Sequence, residues 1–202
     1  MLNAPILVTG FEPFGEHEHN SSRTIVEALG ARNDPRLSCR VLPTAYRRAG
    51  TLIESWIEAE HPAAVVMLGL AAKAEALRLE RFARIRDASP VADNVGESRS
   101  DVTIVKAAPD VYASTLPLER FAATERSLGT PVEVSLSAGG FVCNHVFYRA
   151  RHAIERRNLR TPCGFLHVPA AHPHELEPWF RAVAACLQVL VDALDETELE
   201  HR

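Results

Sequence analysis

The stretch SLSAGGFVCNHVFYRARHAIERR, residues Ser135–Arg157, joins a strand, a turn and a helix in one piece of chain. It leaves the strand-like run Val132–Leu136, passes the turn Ala138-Gly139-Gly140, and follows helical apolar spacing from Cys143 onward. This order places Cys143 at or near a helix N-terminus, where free backbone N–H groups and the helix dipole favour a thiolate. The N–H groups of the turn can hold an oxyanion beside the sulfur. Cys143 is therefore a candidate nucleophile, although inert packing is the commoner use of cysteine.

Apolar runs and helical patterns alternate along the rest of the chain. The predicted strands are Ala4–Thr9, Ser38–Pro43, Ala63–Gly69, Val132–Leu136 and Pro162–Pro169, and the predicted helices are Tyr46–Glu60, Pro117–Leu128, Glu175–Leu194, the stretch after Cys143, and one capped by Ser21 or Ser22 that runs through Arg32. A repeated β-α-β order is typical of a largely parallel sheet covered by helices. The length of 202 residues suits one domain with a substantial core. We therefore expect an α/β fold in which residues 1–202 form a single domain.

The segment after the third predicted strand has a mixed pattern. Leu77–Ile85 alternates apolar and charged residues, which predicts a strand with one wet face. Glu80 lies on the charged face, where an ordinary surface glutamate is expected. Arg86–Ser100 has no periodicity and is predicted to be a mobile loop near the site. Val102–Val105 is a candidate edge strand.

Composition and charge exclude several classes of function. The net charge is -4, which argues against a nucleic-acid partner or an anionic membrane surface. The N-terminus has no basic region followed by an apolar run, and no apolar stretch approaches the ~20 residues of a membrane span. The four cysteines are scattered and form no CxxC pair. These features predict a reduced, cytoplasmic protein in which thiolate chemistry is possible.

Two histidine pairs raise the question of a metal site. His17 and His19 lie among glutamates, and His172 and His174 flank a proline. Neither pair is followed by further ligands at a suitable spacing, so solvated loops are the preferred interpretation. We expect no metal.

Two phenylalanines, Phe11 and Phe14, lie in a loop rich in glycine and proline, Gly10–Gly15. Such a loop cannot bury them as a helix or an alternating strand would. They either cap the core or form the walls of a pocket, and the sequence alone leaves both interpretations open.

His167 is the candidate partner of Cys143. It lies within an apolar strand, two residues before Pro169, where a histidine is costly unless its ring nitrogens are paired. A core histidine bonded to the backbone is one interpretation. The other is a catalytic base, because ligands of open α/β sheets bind at the carboxyl ends of the strands. A cysteine nucleophile needs such a base and a third group that orients it. The candidates for that third group are Glu80, Asp87, Asp93 and Glu97.

Three motifs closely resemble those of the pyroglutamyl peptidase I family, also called pyrrolidone-carboxylate peptidases. They are Thr9-Gly10-Phe11-Glu12-Pro13-Phe14-Gly15, Ser137-Ala138-Gly139-Gly140-Phe141-Val142-Cys143-Asn144-His145 and Gly164-Phe165-Leu166-His167-Val168-Pro169. A fourth segment, Leu79–Ala83, is similar to the glutamate motif of that family. The resemblance covers nearly the whole chain in the same order.

The resemblance implies that an N-terminal pyroglutamyl residue is removed from peptides by a Glu-Cys-His triad. Cys143 is then the nucleophile, His167 the base and later the acid, and Glu80 the orienting group. Phe11, Phe14 and Phe141 are then the apolar walls around the flat lactam ring. The resemblance also implies a three-layer α/β/α sandwich with a mostly parallel, twisted central sheet. It further implies a cytosolic location, no cofactor, and a homo-oligomer, either a dimer or a tetramer.

The chain departs from the family pattern at two places near the substrate. After the third strand the family usually has Gly-Gln-Ala-Gly-Gly-Arg, and this chain has Gly69-Leu70-Ala71-Ala72-Lys73-Ala74. Pro90 occupies the position of the arginine that usually precedes the Pro-Asp-Asn segment. A lost polar partner in a buried site costs ~1–3 kcal/mol.

These departures keep two other hypotheses open. In the first, the same triad acts on a different small N-acyl or lactam amide. In the second, the chain is a catalytically silent homologue that binds blocked N-termini or serves as an assembly subunit.

Overall fold

A computed structural model describes the backbone of residues 4–200 and the side chains of residues 4–196. Across this range the chain forms five α-helices, one short 3₁₀ helix at Pro173–Glu175, one six-stranded sheet and two short two-stranded ribbons. The helices are α1 (Ser21–Gly30), α2 (Tyr46–Glu60), α3 (Leu118–Ser127), α4 (Val142–Arg156) and α5 (Glu177–Glu200). The strands are β1 (Ile6–Phe11), β2 (Leu37–Leu42), β3 (Ala64–Ala71), β4 (Leu77–Glu80), β5 (Phe82–Arg84), β6 (Arg86–Ser89), β7 (Arg99–Thr103), β8 (Val111–Ala113), β9 (Val132–Ser135) and β10 (Cys163–Pro169).

The central sheet has the strand order β2-β1-β3-β10-β4-β9. All neighbouring strands are parallel except β10 and β4, which are antiparallel. The middle strands β1, β3 and β10 are buried along almost their whole length because helices cover both faces. The prediction of a mostly parallel α/β sheet is therefore confirmed.

Two apolar clusters divide the helices between the faces of the sheet. On one face, α1, α3 and α5 pack through residues such as Ile25, Phe121 and Val183. On the other face, α2 and α4 pack through residues such as Ile53 and Phe147. Three layers result, with the sheet in the middle, and the expected α/β/α sandwich is confirmed.

The cap of α1 differs from the prediction. Asn20, rather than Ser21 or Ser22, is the capping residue, and its Oδ1 accepts the Ser22 N–H at 3.0 Å. The Ser22 hydroxyl is used elsewhere, since its Oγ accepts the Phe11 N–H at 3.1 Å. The helix also ends at Gly30, before Arg32.

The prediction for residues 77–105 is wrong in two respects. The single strand expected over 77–85 breaks at Arg81 into β4 in the central sheet and β5, which pairs with β8. The segment 86–100, expected to be a loop, instead begins and ends in strands, since β6 pairs antiparallel with β7 to form one hairpin. The buried positions of this hairpin are polar residues such as Asp87 and Arg99, so no apolar period marks it. The predicted edge strand, Val102–Val105, is observed as β7, which begins earlier, at Arg99. The earlier start was missed because the buried residue there is charged.

Candidate active site

The register of the sheet brings Glu80 and His167 to the same face. Glu80 ends β4 opposite Phe165, and His167 lies two residues further along β10. Side chains two apart on a strand share a face, so Glu80 and His167 are diagonal neighbours. His167 Nδ1 lies 2.8 Å from Glu80 Oε1. The sheet thus forms this pair without any loop.

The expectation of an exposed Glu80 is wrong. Only 1% of its surface is exposed, because β4 lies between β10 and β9 under the helices. Alternation indicates which residues share a face, but it does not indicate whether that face is wet. A buried carboxylate needs a partner, and His167 provides it.

Cys143 reaches this pair from the helix that covers the face. It is the second residue of α4 and is half-buried. Gly69, which lies opposite His167 on the neighbouring strand β3, leaves the space that the sulfur occupies. A Cβ on Gly69 would lie 3.0 Å from Cys143 Sγ and 2.7 Å from the Phe165 ring. Glycine at this position therefore permits the close approach of helix and sheet.

The electrostatics of His167 depend on both neighbours. Burial alone would lower its pKa, but the charge of Cys143, a hydrogen bond to that sulfur, and the bonded Glu80 carboxylate together raise the pKa to about 9. Because the carboxylate accepts, Nδ1 carries a hydrogen and Nε2 is left for the sulfur. The raised pKa favours the imidazolium form of His167 at neutral pH.

The turn before Cys143 lies directly against β6. Gly139 has a φ of +82°, a conformation that side chains rarely adopt. The Gly140 carbonyl accepts the Ala88 N–H at 3.0 Å, and a Cβ on Gly140 would lie 2.4 Å from the Ala88 oxygen. Both glycines of the motif are therefore required by the backbone.

Asn144 attaches the start of α4 to the same segment. Its Oδ1 accepts the Arg84 N–H at 2.8 Å, and its Nδ2 donates to the carbonyls of Arg84 at 2.9 Å and Arg86 at 3.1 Å. The side chain is fully buried. We did not predict this function of Asn144; its position directly after the nucleophile was the available signal.

The other candidate orienting groups bond elsewhere. Asp87 binds Arg99 and His145. Asp93 Oδ2 accepts the first N–H of α2, from Tyr46, at 2.9 Å, and so caps a helix that lacks a cap of its own. Glu97 pairs with Arg99. Glu80 is thus the carboxylate that the fold places on His167.

Two of the three candidate wall residues contact each other. The ring centroids of Phe14 and Phe141 are 5.4 Å apart, and Phe141 lies two residues before Cys143 in the chain. Phe11 instead ends β1, is 2% exposed and lies 6.3 Å from the ring of Phe165. Phe11 thus belongs to the core, and its contact with substrate stays a prediction.

The two departures from the family pattern lie in different elements, one at the end of β3 and the other in the hairpin of β6 and β7. Leu70 and Ala74, at the end of β3 and after it, are each 8% exposed. Pro90 is exposed and directly follows β6 in the hairpin. The hairpin tip is held to the Phe14 loop, since Asn94 Nδ2 donates to the Pro13 carbonyl at 2.9 Å.

Among the described residues, no group of three or more histidine, cysteine, aspartate or glutamate side chains is arranged to hold a metal ion. His172 and His174 stack with ring centroids 5.6 Å apart. No helix in the described part of the chain has the length and apolar character needed to cross a bilayer.

The fold and the site define an α/β protein with a cysteine–histidine–carboxylate arrangement at the carboxyl end of a parallel sheet. The family model described as Pyroglutamyl peptidase matches residues 4–195. A pyrrolidone-carboxylate peptidase 1 of Ralstonia nicotianae is 33% identical over 195 residues, which is 93% of this chain and 91% of that protein. A pyrrolidone-carboxylate peptidase of Enterobacter is 37% identical over 193 residues, covering 91% and 89%.

Solved structures agree with this match. The pyrrolidone carboxyl peptidase of Thermococcus litoralis superposes with a TM-score of 0.89 at 29% identity, over 96% of each chain. That of Pyrococcus furiosus gives a TM-score of 0.89 at 30% identity, over 94% of this chain and 99% of its own. The chain belongs to the pyroglutamyl peptidase family, and it is a cysteine peptidase.

Proposed function

We propose that this protein hydrolyses the amide bond after an N-terminal pyroglutamyl residue, with Cys143, His167 and Glu80 as its catalytic triad. The observation that carries the proposal is the bonded pair His167–Glu80 beside the Cys143 sulfur. A nucleophile, a base and an orienting carboxylate in this order are what amide cleavage by a thiol requires. The relatives are pyrrolidone-carboxylate peptidases, and their names supply the substrate class.

The chemistry follows from the positions of these groups. The Cys143 thiolate attacks the carbonyl carbon of the pyroglutamyl group, and the first-turn N–H groups of α4 stabilise the oxyanion. His167 then gives its proton to the leaving amine, and a thioester remains on Cys143. Water, deprotonated by His167, cleaves the thioester and releases pyroglutamate. Glu80 holds the imidazole in one tautomer throughout.

The aromatic pair Phe14 and Phe141 supplies the surface on which a flat lactam ring can stack. Both are attached to fixed parts of the fold, since Phe141 immediately precedes α4 and the Phe14 loop is bonded to the hairpin tip. We propose these two rings, together with Phe11, as the walls of the acyl pocket.

The proposal is tested with a pyroglutamyl-aminocoumarin substrate. We expect the wild-type protein to release the dye and Cys143→Ala and Cys143→Ser to release none above background, because the nucleophile is absent. Cys39→Ala is the matched control, since Cys39 is a free cysteine on β2, outside the site. Full activity in Cys143→Ala would overturn the assignment.

The same assay separates the alternative functions. A protein that acts on another small acyl group would release dye from other N-acyl-aminocoumarins and not from the pyroglutamyl one. A silent homologue would release dye from none of them, and iodoacetamide would alkylate its Cys143 no faster than a free thiol.

We also propose that residues 1–202 act as a single domain, that the protein is cytoplasmic, and that it forms a dimer or tetramer. The four cysteines are free, as expected in a reducing compartment. Val134 on the edge strand β9 and Leu136 directly after it are 36% and 61% exposed, and they are apolar surface of the kind that subunits cover. Light scattering of the purified protein measures the oligomer size.

A further inference from the structure

A buried charged cluster lies behind the candidate active site. It consists of Asp87 on β6, Arg99 on β7 and His145 on α4, which are 0%, 9% and 3% exposed. None of the three takes part in the proposed chemistry. Charged groups this deeply buried are costly unless they are paired, so their arrangement calls for an explanation.

The cluster converges on one carboxylate oxygen. Arg99 Nη1 and His145 Nδ1 each lie 2.7 Å from Asp87 Oδ2. Because that oxygen accepts, His145 Nδ1 carries a hydrogen. Arg99 Nη1 and His145 Nδ1 are 3.2 Å apart, and both are donors to this one acceptor rather than partners of each other. Asp87 Oδ1 has no hydrogen-bond partner among the described residues. Oδ2 is thus the oxygen of Asp87 that accepts both of these hydrogen bonds.

The cluster is one of several connections between β6 and the start of α4. Ala88 bonds to Gly140, and Asn144 bonds to the backbone just before β6, as described above. The Asp87–His145 bond adds a contact between these two, since Asp87 lies between Arg86 and Ala88 and His145 directly follows Asn144. The segment Gly140–His145, which includes Cys143, is therefore held against β6 near both of its ends.

Tyr46 connects the cluster to the acyl pocket. Its ring lies edge-on to Phe141 at 5.5 Å and to His145 at 5.6 Å, measured between centroids. The Arg99 guanidinium lies 4.2 Å from the centroid of the Tyr46 ring, within cation–π range. Arg99 and His145 thus support Tyr46, and Tyr46 supports Phe141.

We propose that Asp87, Arg99 and His145 are positioning residues that set the place of Phe141 and of the turn before Cys143. They govern how tightly the acyl group is held and do not touch the reacting atoms. The kinetic part of this inference rests on the proposed function. Removing the charge of Asp87 replaces the carboxylate that Arg99 and His145 share with a weaker, neutral amide oxygen beside an N–H donor, and a buried network of this kind cannot relax without moving its neighbours.

The test variant is Asp87→Asn, which keeps the volume and removes the charge. The matched control is Glu54→Gln, which breaks the Arg149–Glu54 ion pair between the same two helices, α2 and α4, away from the hairpin. We expect Asp87→Asn to raise KM about tenfold for the pyroglutamyl substrate, because a displacement of about 1 Å at a binding wall has effects of this size or larger. kcat should change less than KM, and the alkylation of Cys143 by iodoacetamide should change little, because the Glu80–His167 pair is untouched.

Hydrogen–deuterium exchange provides a readout that needs no substrate. In Asp87→Asn the amides of residues 84–88 and 140–143 should exchange faster than in wild type, and in Glu54→Gln they should not. If wild type fails to cleave the substrate, the proposed function fails alone, and exchange decides the positioning inference. Unchanged exchange, an unchanged KM in an active enzyme, or equal effects in the control would overturn the inference. If Asp87→Asn does not fold, Arg99→Lys, which keeps the charge but loses the guanidinium fork, is measured in the same way.

Discussion

Replacing Gly69 by alanine tests the space that the sheet leaves for the nucleophile. The added Cβ would lie 2.7 Å from two atoms of the Phe165 ring and 3.0 Å from Cys143 Sγ. Carbon atoms in favourable contact are ~3.5–4.0 Å apart, so the overlap with the ring is about 1 Å. Phe165 is fully buried between layers and cannot yield freely. The Cys143 sulfur also lies inside contact distance of the added Cβ, so we expect it to move away from β3 with the start of α4.

The expected effect on activity is larger than the effect on stability. Overpacking a core by one methyl group costs ~1–3 kcal/mol of unfolding free energy. A displacement of about 1 Å at a reacting atom lowers kcat/KM by ~100-fold. We therefore expect Gly69→Ala to remain folded at 25 °C and to lose most of its activity toward pyroglutamyl-aminocoumarin.

The assay combines kcat/KM, the rate of Cys143 alkylation by iodoacetamide, and thermal unfolding. Gly30→Ala is the matched control, since its Cβ would lie 3.3 Å from Cys39 Cβ at the far end of α1 and not near the site. The control should keep wild-type kinetics. If Gly69→Ala also keeps wild-type kinetics and alkylation, the contact between Cys143 and β3 is not what positions the sulfur.

Two further predictions follow from shifted pKa values. Glu80→Gln removes a group that raises the pKa of His167, so the pKa should fall below about 9 and the alkaline limb of the rate profile should move to lower pH, which titration of the imidazole by NMR measures directly. kcat should also fall by about 100-fold or more; an unchanged pKa would contradict the assigned bond. Burial raises the pKa of the Glu125 carboxyl, whose Oε1 accepts from Cys186 at 3.6 Å and whose Oε2 has no hydrogen-bond partner among the described residues. A carboxyl whose pKa is raised by folding destabilises the protein as pH rises above the pKa that this carboxyl has in the unfolded chain. Glu125→Gln should therefore raise Tm by about 2–4 °C at pH 7, for a gain of ~1 kcal/mol in the free energy of unfolding, and by less near pH 4. An equal gain at both pH values would contradict this reasoning.

The sheet and the helices were predictable because their signals are local. Tyr46–Glu60 has the predicted bounds, since its apolar spacing is regular and His61 ends it in a left-handed conformation at φ 44°. The middle strands β1, β3 and β10 are short apolar runs bounded by turns, and each was predicted within a few residues. Cys143 was predicted at a helix start, and the structure places it there.

The environment of Glu80 was not predictable from alternation. Its burial is decided by where β4 lies in the sheet order, which depends on contacts far apart in sequence. The hairpin of β6 and β7 was missed because its inner positions are charged. From the sequence alone, Asp87 and Arg99 are expected to be surface residues, because their pairing depends on the fold.

The most direct test of the central claim is to trap the acyl-enzyme. Wild-type protein is mixed with a pyroglutamyl peptide, quenched with acid during turnover, digested and analysed by mass spectrometry. We predict that the pyroglutamyl group is found as a thioester on the peptide that contains Cys143, and that Cys143→Ser forms no such thioester. Turnover with no acyl group on Cys143, or with the group on another residue, would contradict the account.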